Sequence, residues 1–303
     1  MSTQTSRSKR RDNAERIYRQ EAWRKAFTRE NLVGTIIGGY IPMLIAFLII
    51  ALPLLWMVIS SFKPPSEIVT MTPTVLPVDP TFANYEQVAA RVPLATVFAN
   101  SLIVTTVAAI IKVFLAITTA YALVYVDIPG KNIIFLGILG ALMVPPEAAI
   151  LPNYMTITAL GGRNTLWGII LPGLGTAFGT FLLRQHFRTL PKELTEAAEL
   201  DGAGPWRRLW QIVVPVSIPT IATVALVTIV GEWNSFLWPL IIIDNPAKMT
   251  LPVGLNLLQS IESQTGSYGT LMAGAVLVIL PVLVVFAALQ RYIVAGLTQG
   301  AVK

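Results

Sequence analysis

The chain has 303 residues, of which 54% are hydrophobic and only 13% are charged, and its mean hydropathy is +0.66. Soluble domains carry about 25% charged residues, so this composition excludes an ordinary soluble protein and indicates a polytopic membrane protein. The absence of cysteine and the single histidine exclude disulfides, thiolate metal sites and histidine clusters. The net charge of +6 predicts attraction to anionic membrane lipid and gives no argument for nucleic acid.

The first 34 residues contain nine Lys or Arg residues. Because positive residues near span ends stay in the cytoplasm, this segment is predicted to be cytoplasmic. Its stretch 10–29 also carries scattered apolar side chains, so both a helix on the membrane surface and a solvated basic tail fit the pattern. The first apolar run starts late and is too long for the core of a cleavable signal peptide.

Six segments are long and apolar enough to cross a bilayer core of about 30 Å, which takes roughly 20 residues. They predict an all-α polytopic membrane protein with six transmembrane helices and with both termini in the cytoplasm. Of the 22 Lys and Arg residues, 17 then fall on the cytoplasmic side and four on the outer side. The predicted spans are 35–61, 97–125, 132–153, 164–184, 212–242 and 268–290.

The chain is accordingly divided into four parts. A basic cytoplasmic segment precedes the first span, which is followed by a proline-rich outer loop. The other five spans form the core, and a short cytoplasmic tail ends the chain. The predicted boundaries are 1–34, 35–95, 96–291 and 292–303.

The third predicted span contains two adjacent prolines, Pro145 and Pro146, which predict a break in its outer half. Such a break is tolerated at membrane depth only where the freed backbone groups are buried in protein or line a cavity. A solute pathway and helix packing explain it equally well. In the fourth span, Gly173 and Gly175 are interpreted as positions of close helix packing.

Three ionisable residues lie inside predicted spans: Lys112, Glu147 and Glu232. Ionisable groups in a membrane interior usually face a cavity, a partner or another charge. Each is therefore predicted to line a solute pathway or to form a structural ion pair or subunit contact, and Asn153 and Asn234 are further pathway candidates. Lys112 is too central to reach the interface, so a partner should exist, and Glu147 could neutralise it.

The predicted inner loop between spans four and five contains a polar helix–glycine–helix element. A short helix starts after Pro191 and carries Ala197 and Ala198, whose small side chains allow close approach of another protein surface. The stretch that begins with Asp201 and Gly202 ends this helix, because glycine adopts positive φ without cost. A second helix then leads into the membrane. An ordinary amphipathic surface helix is the plainer alternative.

This loop, EAAELDGAG followed by IVVPVSIP, resembles the EAA loop of permease subunits of bacterial ATP-binding-cassette importers. The family pattern is EAA, three residues, Gly, nine residues and Ile-x-Leu-Pro, and Val214 stands here in place of Leu. The resemblance implies cytoplasmic coupling helices that dock on an ATPase subunit, where Glu196 reaches an arginine and Gly202 is the hinge. The residues on the pattern are Glu196, Ala197, Ala198, Gly202, Ile212 and Pro215.

Longer stretches, among them SSFKPPSEI, EWNSFLWPL and QRYIVAGLTQGAVK, resemble the second, six-span permease of maltose-like carbohydrate importers. Within that group, LMVPPEAAILPNY and RQHFRTLPKELTEAAELDGAGP are most similar to the permease of glycerol-3-phosphate uptake. The resemblance implies import of glycerol-3-phosphate or a glycerophosphodiester, with an oligosaccharide such as trehalose or maltose as the alternative. Lys112, the only basic residue in the predicted membrane interior, favours the anionic solute.

No G-x-x-x-x-G-K-[ST] phosphate loop occurs in the chain, so ATP and Mg are predicted to bind another subunit. The chain itself is predicted to carry no catalytic residue, no cofactor and no metal. The resemblance implies a homologous permease partner, two cytoplasmic ATPase subunits and an extracytoplasmic solute-binding protein, in the bacterial cytoplasmic membrane. It also implies that the tail at 296–300 approaches the ATPase. A secondary transporter is the less favoured alternative, because the two halves show no matched pair of broken helices.

Overall fold

The computed structural model describes residues 34, 36–68, 70, 74–256, 258 and 268–299, and in the last helix it describes side chains up to residue 290. Within these ranges the regular structure is helical and contains no strand, as the composition predicts. The segment 10–29, for which a helix on the membrane surface and a solvated tail both fit the sequence, lies outside the described residues. The chain divides after Ile59 into two compact units.

The first unit contains most of helix α1, Ile41–Ser61, which follows a π-helical turn at Ile36–Tyr40. The second unit begins at Ser60, so it holds the last two residues of α1 and all of the remaining helices. Short helices at Pro65–Ile68 and Ala83–Arg91 lie between α1 and α2, and another short one at Val214–Val216 precedes α9. The other labelled helices are α2 Leu94–Tyr125, α3 Lys131–Leu142, α4 Ile150–Ala159, α5 Leu166–Ile170, α6 Ala177–Phe187, α7 Lys192–Leu200, α8 Pro205–Arg208, α9 Ile218–Trp233, α10 Leu237–Ile242 and α11 Tyr268–Gln299.

Four helical segments are long and apolar enough to cross a membrane: Ile36–Ser61, Leu94–Tyr125, Ile218–Ile242 and Tyr268–Gln290. Two bent helix pairs also pass this test, so the described residues contain four candidate spans, or six if each bent pair is one span. The chain is thus a multi-pass membrane protein.

The first bent pair turns by 93° between Leu142 and Pro146, which confirms the break predicted from the adjacent prolines. The second turns by 45° between Leu174 and Ala177, and the sequence analysis did not predict it. An added Cβ at Gly175 would meet nothing within 4 Å, so this glycine lies at a bend and makes no close helix contact within the described residues.

Helix α2 lies at the centre of the second unit, where it contacts α6 and α9, and α9 also packs against α11. Two apolar cores lie along α2. One includes Val104, and the other includes Ala116 together with Leu183 of α6. Lys112 lies on α2 between the two cores, which places a charged side chain where α2 passes from one apolar cluster to the other.

The loop between α1 and α2 is held by side-chain hydrogen bonds to backbone groups. The side chain of Lys63 is buried, and Asn84 Nδ2 donates to the Lys63 carbonyl at 2.8 Å. The Glu67 carboxylate accepts from the backbone N–H groups of Val78 and Asp79, each at 2.9 Å. These two hydrogen bonds, first that of Val78 and then that of Asp79, lower the pKa of Glu67 below its ordinary value.

Candidate functional site

Residues 192–208, which comprise α7, α8 and the turn between them, are called the connecting segment below. Helix α7 ends in a Schellman turn: the Ala203 N–H donates to the Ala198 carbonyl at 2.9 Å, and the Gly202 N–H donates to the Glu199 carbonyl at 3.0 Å. Gly202 has a φ of +72°, the left-handed conformation that this turn requires and that glycine adopts without steric cost. The turn therefore fixes where α7 stops and how the chain enters α8.

The exposed face of α7 carries part of the predicted docking surface. Glu196 and Ala197 are exposed, as are Asp201 and Gly202. Leu200, an apolar residue at the end of α7, is 90% exposed. Ala198, in contrast, is buried within the chain, so of the two alanines only Ala197 offers its side chain to another protein.

An ion pair ties α7 to α8. Arg208 Nη1 lies 2.5 Å from Glu199 Oε1, and the Arg208 side chain is only 15% exposed while that of Glu199 is 62% exposed. The same region is linked to α2 by stacked aromatic rings. Trp206 stacks on Trp210 with 6.3 Å between ring centroids, and Trp210 stacks on Phe114 at 6.0 Å. The connecting segment is therefore attached to the helix that carries Lys112.

Lys112 of α2 and Glu232 of α9 form an ion pair, which confirms that Lys112 has a partner and identifies it as Glu232. The two side chains are 15% and 19% exposed. They line a cleft of about 720 Å³ between α2, α3, α6 and α9. Four threonines also line it: Thr119, Thr176, Thr180 and Thr228.

The other predicted pathway residues do not line this cleft. Glu147 is exposed on the turn at Pro146–Ala149, so it is not the residue that pairs with Lys112. Asn153 is half-buried on α4. Asn234 is exposed, and its side chain donates to the Val230 carbonyl at 2.8 Å, a local contact within its own helix. Of the five candidates, the structure brings together Lys112 and Glu232.

A second polar cluster, which the sequence analysis missed, joins the turn after α4 to the end of α10. It is called the clasp below and consists of Arg163, Asn164 and Asp244. Asn164 has a φ of 58°, and its Oδ1 accepts from the N–H groups of Asp244 at 2.7 Å and of Asn245 at 2.9 Å. Arg163 pairs with Asp244 at 2.6 Å, and the hydrogen bond to that carboxylate raises the pKa of Arg163.

Within the described ranges, no group of three or more His, Asp or Glu side chains is placed to hold a metal ion. The described site consists of an ion pair in a cleft lined mainly by apolar residues, with four threonines, and of an exposed helical turn that is attached to the same helices.

Residues 31–299 match the protein family described as the inner membrane component of binding-protein-dependent transport systems. The chain belongs to this family. A permease protein of arabinooligosaccharide transport, AraQ of Halalkalibacterium halodurans, is 34% identical over 86% of this chain and 93% of its own length. The diacetylchitobiose uptake permease NgcG of Streptomyces coelicolor is 35% identical over 84% of this chain and 85% of its own length.

A third relative is the sn-glycerol-3-phosphate transport permease UgpE of Brucella suis, which is 31% identical over 86% of this chain and 95% of its own length. These relatives are permease subunits of transport systems, so the chain is a permease of a sugar-type ATP-binding-cassette importer and not an enzyme.

Two solved structures share the fold. A bacterial ABC transporter for the acidic polysaccharide alginate matches 88% of this chain and 99% of its own, with a TM-score of 0.74 at 23% identity. A complex of the alginate transporter with a pentasaccharide-bound periplasmic protein matches 89% of this chain and 96% of its own, with a TM-score of 0.53 at 13% identity.

Proposed function

We propose that the chain forms half of the solute pathway of an ATP-driven importer and crosses the inner membrane six times, with both termini in the cytoplasm. Each bent helix pair then counts as one span, because freed backbone groups are tolerated at membrane depth where they are buried or line a cavity. The charge bias of the loops places the connecting segment on the cytoplasmic side. The other half of the pathway is a homologous permease subunit.

The observation that carries this proposal is the exposed turn at the end of α7 in a member of this transport family. The connecting segment presents Glu196, Ala197 and the 90% exposed Leu200 to the cytoplasm, where two ATPase subunits bind. Glu196 is the acidic contact of this surface, and Gly202 sets the direction of the chain between the two short helices. ATP and Mg bind the ATPase subunits, and an extracytoplasmic binding protein delivers the solute. In support, the alginate transporter of the same fold forms a complex with a pentasaccharide-bound periplasmic protein.

For the solute, the cleft favours an uncharged oligosaccharide. Lys112 is neutralised by Glu232, which removes the electrostatic reason for preferring an anion. Four threonines also line the cleft, and threonine hydroxyls can hydrogen-bond sugar hydroxyls; that of Thr228, which donates to the Val224 carbonyl at 2.8 Å, can only accept. Its volume of about 720 Å³ is that of a typical small-molecule site. Two relatives of this chain carry oligosaccharide names.

Glycerol-3-phosphate is the second candidate, because a relative of 31% identity carries that name and because Lys112 supplies a cation to the cleft. An uptake assay distinguishes the oligosaccharide from glycerol-3-phosphate. It compares cells with and without the chain for uptake of labelled arabinooligosaccharide, diacetylchitobiose and glycerol-3-phosphate. Loss of glycerol-3-phosphate uptake alone would contradict the preference for an oligosaccharide.

The coupling role is tested by co-purification of the ATPase with two glutamate variants of α7. Glu196→Ala should weaken retention of the ATPase or uncouple ATP hydrolysis from uptake. Glu193→Ala is the matched control, because Glu193 is also exposed but lies one turn earlier in the same helix. Equal retention and equal coupling in both variants would refute the assignment of Glu196.

A further inference from the structure

The charge of the cleft is set by a single ion pair. Among the described residues that line it, Lys112 and Glu232 carry the only charged side chains, and the others are apolar, glycine or threonine. Their contact joins α2 to α9 across 120 positions of sequence. The cleft therefore has no net charge as long as both side chains are ionised, and loss of either one would leave a full unit charge in a medium of low dielectric constant.

The surroundings of Lys112 leave it available to the cleft as well as to Glu232. Gly173 lies between α5 and α6, and a Cβ added there would lie 3.6 Å from Lys112 Nζ. The backbone at Gly173 is therefore next to the ammonium, and no side chain of this residue covers it. An ammonium has three hydrogen-bond donors, and Glu232 is the described acceptor. Lys112 can therefore donate a hydrogen bond to a hydroxyl group of the solute while Glu232 balances its charge.

We propose that Glu232 is a specificity-determining residue: it masks the charge of Lys112, so that the cleft passes uncharged polyhydroxylated solutes and gives no advantage to anions. This inference rests on the proposed solute pathway. It predicts the sign of the electrostatic potential in the cleft for each single variant, and it predicts that the double variant restores the parental potential.

The absence of cysteine from the chain allows a direct measurement of that potential. Thr228 lines the cleft on α9 and lies four residues before Glu232, so the two side chains are neighbours on one helix face. A Thr228→Cys variant in membranes that contain the assembled importer is reacted with two thiosulfonate reagents, one bearing a sulfonate and one bearing a trimethylammonium group. The ratio of their rates reports the local potential.

The variant Glu232→Gln should raise the anionic-to-cationic rate ratio by about tenfold, the effect of one unit charge at about 8 Å in an environment between protein and water. Lys112→Gln should lower the ratio by a similar factor. The double variant should return it to the parental value, which a change of shape would not do. The matched control is Thr189→Cys, an exposed threonine in the loop before α7, where neither substitution should alter the ratio.

The outcomes separate the two proposals. If Thr228→Cys reacts but its rate ratio is the same in all four backgrounds, the specificity role of Glu232 is refuted and the pathway stands. If Thr228→Cys does not react with either reagent while Thr189→Cys does, the cleft is closed to water, and both the pathway and the role of Glu232 are refuted.

Discussion

Replacement of Gly202 by alanine tests the turn that ends α7. The residue has a φ of +72°, and a Cβ built there would meet nothing within 4 Å. The cost of Gly202→Ala is therefore backbone strain alone, about 1–2 kcal/mol for a non-glycine residue in the left-handed region. The reduced flexibility of the unfolded chain offsets about 0.4–1 kcal/mol of this. The turn should lose about 1 kcal/mol, which is about a fivefold shift in its opening equilibrium.

The assay is hydrogen exchange of the Ala203 amide, which donates to the Ala198 carbonyl and closes the turn. In Gly202→Ala the protection of this amide should fall about fivefold. In Gly202→Asn it should fall less, because asparagine tolerates the left-handed conformation, and in Gly202→Val it should fall more. ATP hydrolysis measured together with uptake should show the same order of uncoupling.

Two other glycines serve as controls for this series. Gly204 lies in the same segment with a φ of −66°, and its Cβ would also meet nothing within 4 Å, so Gly204→Ala should leave the Ala203 amide protected. Gly130 has the same φ of +72° and the same free space, but it precedes α3. Gly130→Ala should carry the same strain without uncoupling transport. Equal protection of Ala203 in Gly202→Ala and Gly204→Ala would refute the reasoning.

Three further outcomes are expected. Because the folded-state pKa of Glu67 is lowered, its stabilisation is present above the unfolded pKa and is lost as pH falls through the folded value. The protection factors of the amides across 74–82, which correct for the pH dependence of intrinsic exchange, should therefore fall on acidification, and Glu67→Gln should abolish this step. Asn164→Ala should lower the midpoint of thermal unfolding more than Asn164→Gly, since alanine adds strain at a φ of 58° to the same lost hydrogen bonds. A double-mutant cycle of Glu199→Gln and Arg208→Gln should give a coupling energy of about 0.2–1 kcal/mol by hydrogen exchange, because Glu199 is largely exposed, and a value above about 2 kcal/mol would contradict this.

Local chemistry made part of the fold predictable from sequence. Apolar runs indicated the candidate spans, and the adjacent prolines at 145 and 146 indicated the 93° bend, because proline removes a helix hydrogen bond. Gly202 indicated the end of α7 because few other residues adopt positive φ. The 45° bend was missed because Gly173 and Gly175 were interpreted as close-packing residues, although with Pro172 they form a cluster of helix-breaking residues.

The parts of the site that depend on distant residues were less predictable. The cost of burying a charge indicated that Lys112 needs a partner, but nothing in the sequence distinguished Glu147 from Glu232. The clasp was missed because Asn164 and Asp244 are 80 positions apart, and each stands at the edge of a predicted span, Asn164 as its first residue and Asp244 two residues beyond its end. The cleft threonines were missed for a similar reason, since a single threonine in a span carries no signal of which face it occupies.

The clasp also has a mechanical consequence. The span formed by α9 and α10 runs from Ile218 to Ile242, with residues 209–217 between it and the connecting segment and with Asp244 of the clasp two residues beyond its other end. Hydrogen bonds from Asn164 fix the Asp244 end to the turn after α4. At the other end, the stacked rings of Trp206, Trp210 and Phe114 tie the chain before α9 to α2. Both ends of the span are therefore held, so a displacement of the connecting segment moves the span together with α2 and is not absorbed by a local bend.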